Sequence, residues 1–214
     1  MDSAATRKGP CMDTELPLAE LANLHFVTPK LAVGGDLSSE DEGLSRLQLK
    51  EICELGITHV VDTRFEWSDE QAVAEHASHV RYLHHGMDDA GQQVPHEWFE
   101  EAVSWVEAAY EQDPDAIVLT HCHMGINRGP SLGFAVLLSQ GWDPVEAIAA
   151  IRAARPQANV WYAADALDWH HARTGVPDSV AAEQSAALAA WRQAHPLDVI
   201  RIIRQIRQEE RRRL

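Results

Sequence analysis

The chain holds only three cysteines, Cys11, Cys53 and Cys122, with no regular spacing and an odd count. A disulfide-stapled secreted fold is thereby excluded, and a reducing compartment, the cytoplasm, is the expected location. Also missing are any run of about 18 apolar residues and any charged-then-apolar leader, so neither a membrane span nor a secretion signal is expected. Basic residues are few: 18 Lys and Arg stand against 33 Asp and Glu, for a formal net charge of −15. An excess of that sign disfavours broad nucleic-acid binding and gives no general attraction to anionic lipid. Histidine is plentiful, at 12, and clusters in His84-His85, His121-x-His123 and His170-His171. Adjacent histidines on a strand point to opposite faces, and no cysteine or carboxylate completes a shell around them, so no metal is expected.

What is present is enough apolar material, 45% of residues, for one sizeable core. Residues 1–22 have no trusted periodicity and read as a mobile arm with a short helical turn at Leu16 to Leu21. Phe26-Val27 and Leu31 to Val33 form a hairpin-like pair across Thr28-Pro29-Lys30. Leu44, Leu47, Ile52 and Leu55 lie near helical spacing before the stop at Gly56. Strands follow at Ile57 to Val61 and Val80 to His84, with a polar helix from Ser68 to Ser78 between them. Pro95 to Gln112 is amphipathic, with Phe99, Ala102, Val103, Val106 and Tyr110 on one face. Asp143 and Pro144 give the cap and first residue of a helix through Ala154. Alternating strands and helices require crossovers, which implies an α/β fold with a mostly parallel central sheet flanked by helices.

The chemistry concentrates at His121-Cys122-His123-Met124-Gly125-Ile126-Asn127-Arg128. The apolar run Ala116 to Leu119 before it reads as a buried strand, and Leu132 to Leu138 after it as a buried helix. A strand-to-helix turn directs successive backbone N–H groups at one point, and the helix dipole adds positive potential there. Such a cradle binds anions and favours the thiolate form of a cysteine placed in it. Arg128 supplies a planar fork that grips two phosphate oxygens.

His-Cys-x5-Arg with glycine three after the cysteine resembles the phosphate-binding loop of the cysteine-dependent protein tyrosine phosphatases, most closely the small dual-specificity type. The resemblance runs from about Phe26 to His171, with Arg155-Pro156, Trp161-Tyr162 and Leu167 similar to the closing segment. It implies a catalytic domain over residues 23–176, Cys122 as nucleophile, and a cysteinyl-phosphate intermediate without metal or cofactor. The backbone of His123, Met124, Gly125, Ile126 and Asn127, with Arg128, is then the phosphate site. The family's proton donor lies some thirty residues before the cysteine. Aligning Tyr82 and Trp98-Phe99 with the family's pattern selects Asp89, with Asp88 as runner-up. His121 supports the loop through hydrogen bonds in relatives. Asp62 and Arg64, at the end of another strand, reach the same sheet edge and brace the loop, contact substrate or form a surface ion pair.

One position departs from the family. The residue after the arginine is usually Ser or Thr, whose hydroxyl stabilises the departing thiolate; here it is Gly129, with Ser131 two residues on. The expected function is dephosphorylation of phosphotyrosine, extending to phosphoserine and phosphothreonine, in protein substrates. Its alternatives are a phosphate-binding pseudophosphatase with little turnover, a rhodanese-like sulfur transferase, and an RNA 5′-triphosphatase hinted at by Gly125-x-Asn127-Arg128. Residues 177–214 form a helical extension. Ala181, Ser185, Leu188 and Trp191 make one stripe, His195-Pro196 a break, and Val199, Ile202, Ile203 and Ile206 a second stripe beside Arg201, Arg204, Arg207 and Arg211. Such stripes pack on their own domain or on a second copy in a homodimer.

Overall fold

A computed structural model describes residues 16–213, with side chains through 208. Cys11 and most of the expected N-terminal arm lie outside the described residues. The strands are β1 (Leu24–Thr28), β2 (Leu31–Gly34), β3 (His59–Arg64), β4 (Arg81–Met87) and β5 (Val118–His121). The helices are α1 (Glu42–Glu54), α2 (Glu70–His76), α3 (His96–Gln112), α4 (Arg128–Ser139), α5 (Pro144–Ala154), α6 (Ala163–Thr174), α7 (Asp178–Ala194) and α8 (Val199–Arg213).

The sheet order is β1-β2-β5-β3-β4, and every pairing but β1 with β2 is parallel. The period of two divides the strand residues between the faces. Leu31, Val33, Val61 and Val118 join one apolar cluster with residues of α3 to α7. Ala32, Val60 and Leu119 join the other, with Leu49, Ile52 and Val73 of α1 and α2. Helix α4 is buried from Arg128 to Leu138, as a helix apolar on all sides must be. It is wedged between the sheet and α3, α5 and α6, so the turn that begins it is held from every direction.

Three differences from the sequence expectations have physical causes. Residues 16–19 carry no regular structure and residues 20–23 form bends, with no helical turn, because the Glu51 carboxylate accepts the N–H groups of Glu20, Leu21 and Ala22 and fixes the chain there. Strand β3 begins at His59, not Ile57, because the Ile57 N–H is held by the Ile52 carbonyl at the end of α1; Asp62, Thr63 and Arg64 close the strand with their side chains bonded inside the fold. Helix α6 is not legible in the sequence as a separate element, since its buried face is built partly from Ala163 and Ala166, whose apolar signal is small. Helix α7 packs on α5 and α6 through Leu188 and Trp191, which places the first stripe of the extension on its own domain.

Candidate active site

Parallel strands β3, β4 and β5 end at one sheet edge, and the chemistry-bearing residues follow those ends. Cys122 comes directly after β5 and is a free, buried thiol. Gly125 has a φ of +64°, and a Cβ there would meet the Gly34 carbonyl oxygen at 2.6 Å as well as the Arg155 guanidinium, so only glycine fits. Among the described residues, no carbonyl or side chain accepts from the N–H groups of Met124, Gly125, Ile126 or Asn127. Their donors form the kind of concave nest that receives an anion.

Arg128 opens α4. Its Nη1 and Nη2 donate to the two carboxylate oxygens of Glu66, at 2.7 and 2.8 Å, and Nη1 also to the Met87 carbonyl at 2.8 Å. Its Nε is buried without a hydrogen-bond partner among the described residues. The outer edge of the guanidinium is therefore fixed, while the Nε edge remains to bind oxygens. The hydrogen bonds from Arg128 hold the Glu66 carboxyl down at about 2. Glu66 carries no periodic signal in the sequence, and only the fold brings it to the loop.

Asp89, just past β4, lies with Oδ2 3.9 Å from Arg128 Nε. It accepts from Asn127 Nδ2 at 3.1 Å and from the Tyr162 hydroxyl at 2.9 Å. The Asp88 side chain makes no hydrogen bond in this group among the described residues; its carbonyl accepts from Gln92 Nε2 at 2.6 Å and from the Tyr162 hydroxyl at 3.5 Å. The mouth of the site carries exposed aromatics. Phe65 is 67% exposed next to Glu66, Trp67 packs edge-on to His123 at 5.1 Å, and Trp161 lies against Gly91.

The family model for the dual specificity phosphatase catalytic domain matches residues 43–163. The chain belongs to the dual specificity phosphatase family. No curated protein matches it in sequence. Solved structures agree in fold. Human DUSP28 superposes with a TM-score of 0.58 at 19% identity, covering 75% of this chain and 99% of its own. A mouse putative dual specificity phosphatase complexed with zinc tungstate gives 0.58 at 20% identity, over 77% and 99%. PTPMT1 in complex with PI(5)P gives 0.54 at 16% identity, over 72% and 97%. Membership and fold support phosphatase activity in general, and none of the described helices is long and apolar enough to cross a membrane.

Within this dual specificity phosphatase fold, Asp62 and Arg64 are fully buried, which corrects the surface ion pair considered for them. Arg64 donates from Nε to Asp62 Oδ1 at 2.9 Å and from Nη2 to Asp62 Oδ2 at 2.6 Å; it also pairs with Asp69 at 2.8 Å and with Asp36 at 3.3 Å. Burial alone would raise the Asp62 carboxyl, but the hydrogen bonds from Arg64, the His121 and Arg64 charges and the Tyr82 hydroxyl outweigh it and hold it at about 2. Asp62, Asp69 and His121 stand close enough to share a cation, and the Arg64 guanidinium already pairs with both carboxylates. Asp36 in turn lies 2.7 Å from His123 Nδ1, so the network ends on the loop itself.

His121 departs from the role its resemblance implied. Its Nε2 is 3.9 Å from Asp62 and its Nδ1 lacks a hydrogen-bond partner, so the imidazole makes no hydrogen bond to the loop among the described residues. Its carbonyl accepts from the Thr63 hydroxyl at 2.7 Å. The loop's support comes instead from Arg155. This residue is wholly buried and donates from Nε to the Gly125 carbonyl at 2.7 Å and from Nη2 to the Met124 carbonyl at 2.9 Å. Those bonds turn the two carbonyls outward, away from an anion. Burial pushes the Arg155 guanidinium down to about 10.

Proposed function

We propose that the chain hydrolyses phosphate monoesters of protein substrates, phosphotyrosine first and phosphoserine or phosphothreonine as the wider class, through a cysteinyl-phosphate. The observation that carries this reading is the approach of Asp89 to the unpaired Nε edge of Arg128, above the loop that begins with Cys122. In the proposed first step the Cys122 thiolate attacks phosphorus in line. The backbone donors of His123 to Asn127 and the Nε edge of Arg128 take the three equatorial oxygens, whose charge spreads in the transition state. Asp89 gives its proton to the departing oxygen. In the second step Asp89 withdraws a proton from water, which attacks phosphorus and releases Cys122. No metal or cofactor enters either step. Phe65, Trp67 and Trp161 at the mouth support an aromatic leaving group.

A second reading, a phosphate-binding protein with little turnover, is favoured by Gly129, which offers no hydroxyl to the departing thiolate. Ser131 does not replace it: its Oγ accepts from the Tyr162 N–H at 3.2 Å and has no hydrogen bond to Cys122 among the described residues. The test is hydrolysis of a small aryl phosphate with EDTA present, for the wild type and Cys122→Ser. Thiosulfate–cyanide sulfur transfer and phosphate release from 5′-triphosphate RNA are run alongside. Wild-type hydrolysis lost in Cys122→Ser, with vanadate still bound, is the expected result. Full activity in the variant removes Cys122 as nucleophile, and turnover in only one of the parallel assays moves the chain to that class.

A further inference from the structure

The match to the family ends at residue 163, but the extension beyond it reaches the site. From the last turn of α7, Arg192 Nη1 donates to the Val160 carbonyl at 2.7 Å and to the Trp161 carbonyl at 3.3 Å. Among the described residues no carboxylate forms an ion pair with Arg192, so it holds these two carbonyls rather than an acidic side chain. Burial pushes the guanidinium below the usual arginine range, so its place there carries a desolvation cost.

The segment it grips touches both halves of the candidate site. The N–H groups of Asn159 and Val160 donate to the Ile126 carbonyl at 2.8 and 3.1 Å, and Asn159 Nδ2 donates to Asn127 Oδ1 at 3.2 Å. Tyr162 donates its hydroxyl to Asp89 and receives the Gly91 N–H at 3.2 Å. In the middle stands Val160, with φ of +51°, the one non-glycine residue in the left-handed region among those described. A β-branched side chain is strained there and persists only where its surroundings hold it. The Val160 carbonyl is held twice, by Arg192 and by the Ala163 N–H at 3.1 Å.

We infer that Arg192 is a positioning residue: from the helical extension it clamps residues 159–162 in their strained form and so keeps Asp89 and the phosphate loop in register. The inference rests on the phosphatase reading for its kinetic consequence but not for its structural one. Arg192→Gln removes the cation that bridges two carbonyls. It is expected to lower kcat roughly tenfold for phenyl phosphate, whose leaving group needs a proton, and by less than about twofold for a dinitrophenyl phosphate. Arg192→Lys restores part of the loss, because a single nitrogen serves both carbonyls. A purely structural role would instead lower both esters in step with the folded fraction.

Hydrogen exchange supplies a readout free of turnover. Peptides spanning 158–163 and 89–92 should exchange faster in Arg192→Gln, with α1 and α2 unchanged. If the wild type hydrolyses neither ester, the phosphatase reading fails and exchange alone decides the clamp. Unchanged exchange in those two peptides overturns it whatever the rates do, and so does an equal loss on both esters.

Discussion

Asp88 and Asp89 are adjacent in the chain, and on composition alone either serves as a proton donor. What separates them is what each carboxylate meets past the end of β4: that of Asp89 reaches Asn127, Arg128 and Tyr162, and that of Asp88 has no such partner among the described residues. Asp89→Asn is expected to lower kcat for phenyl phosphate by about 10²-fold, and far less for an activated nitrophenolate. Asp88→Asn should leave both rates within about twofold. The reversed pattern, read from the same two substrates, would assign the proton to Asp88. The sequence singles out Cys122, Arg128 and Asp89 as candidates, because a motif or a strand end fixes each position. It does not single out Glu66, Arg155 or Asn159, since a lone charged or amide residue in a loop looks the same whether it pairs with solvent or with a group inside the fold.

At the scale of elements, the contact of α4 with the end of β5 decides what Gly129 is for. A Cβ at this position would stand 2.7 Å from the Cα of His121 and 2.9 Å from the Cys122 nitrogen, both backbone atoms that cannot step aside. The Gly129 carbonyl also accepts from the Thr120 hydroxyl at 2.8 Å, tying the first turn of the helix to the strand. The family's hydroxyl therefore has no room here unless α4 moves. Gly129→Ser is expected to cost about 1–3 kcal/mol of stability through overpacking, and not to accelerate release of phosphate. Denaturant unfolding beside steady-state kinetics checks it. A variant as stable as the wild type with a higher kcat would mean that the helix shifts freely and the hydroxyl was what the site lacked. The buried character of α4 was plain in its unbroken apolar run, whereas its distance from β5 was not.

For the whole molecule, histidine sets the acid limit. His25, His59, His121 and His170 are all held below the usual histidine value, chiefly by burial. Each takes a proton less readily in the fold than in the unfolded chain. Their stability contribution is therefore complete above about pH 6.5 and declines as pH falls below it, because the unfolded chain then binds more protons. Asp62 and Glu66, both held at about 2, act in a lower window: their contribution is complete above their ordinary carboxylate range and is lost as pH falls toward 2. The melting temperature should thus drop between pH 7 and 5.5, well before the carboxylates titrate. A midpoint that is flat or rising across that interval in thermal unfolding would sink this assignment.

The sequence by itself determined what depends on neighbours in the chain. Alternating apolar runs and helical stripes specified parallel strands with helical crossovers, and His-Cys-x5-Arg specified a strand-to-helix anion cradle, because backbone donors and the motif side chains are set by local spacing. Tertiary structure decided which distant groups complete that cradle. Glu66 reaches Arg128 across 62 residues, Arg155 reaches Gly125 across 30, and Arg192 reaches Val160 across 32. No periodicity encodes such pairs. They form because the parallel sheet gathers its strand ends at one edge, where buried charges and carbonyls must find partners inside the fold.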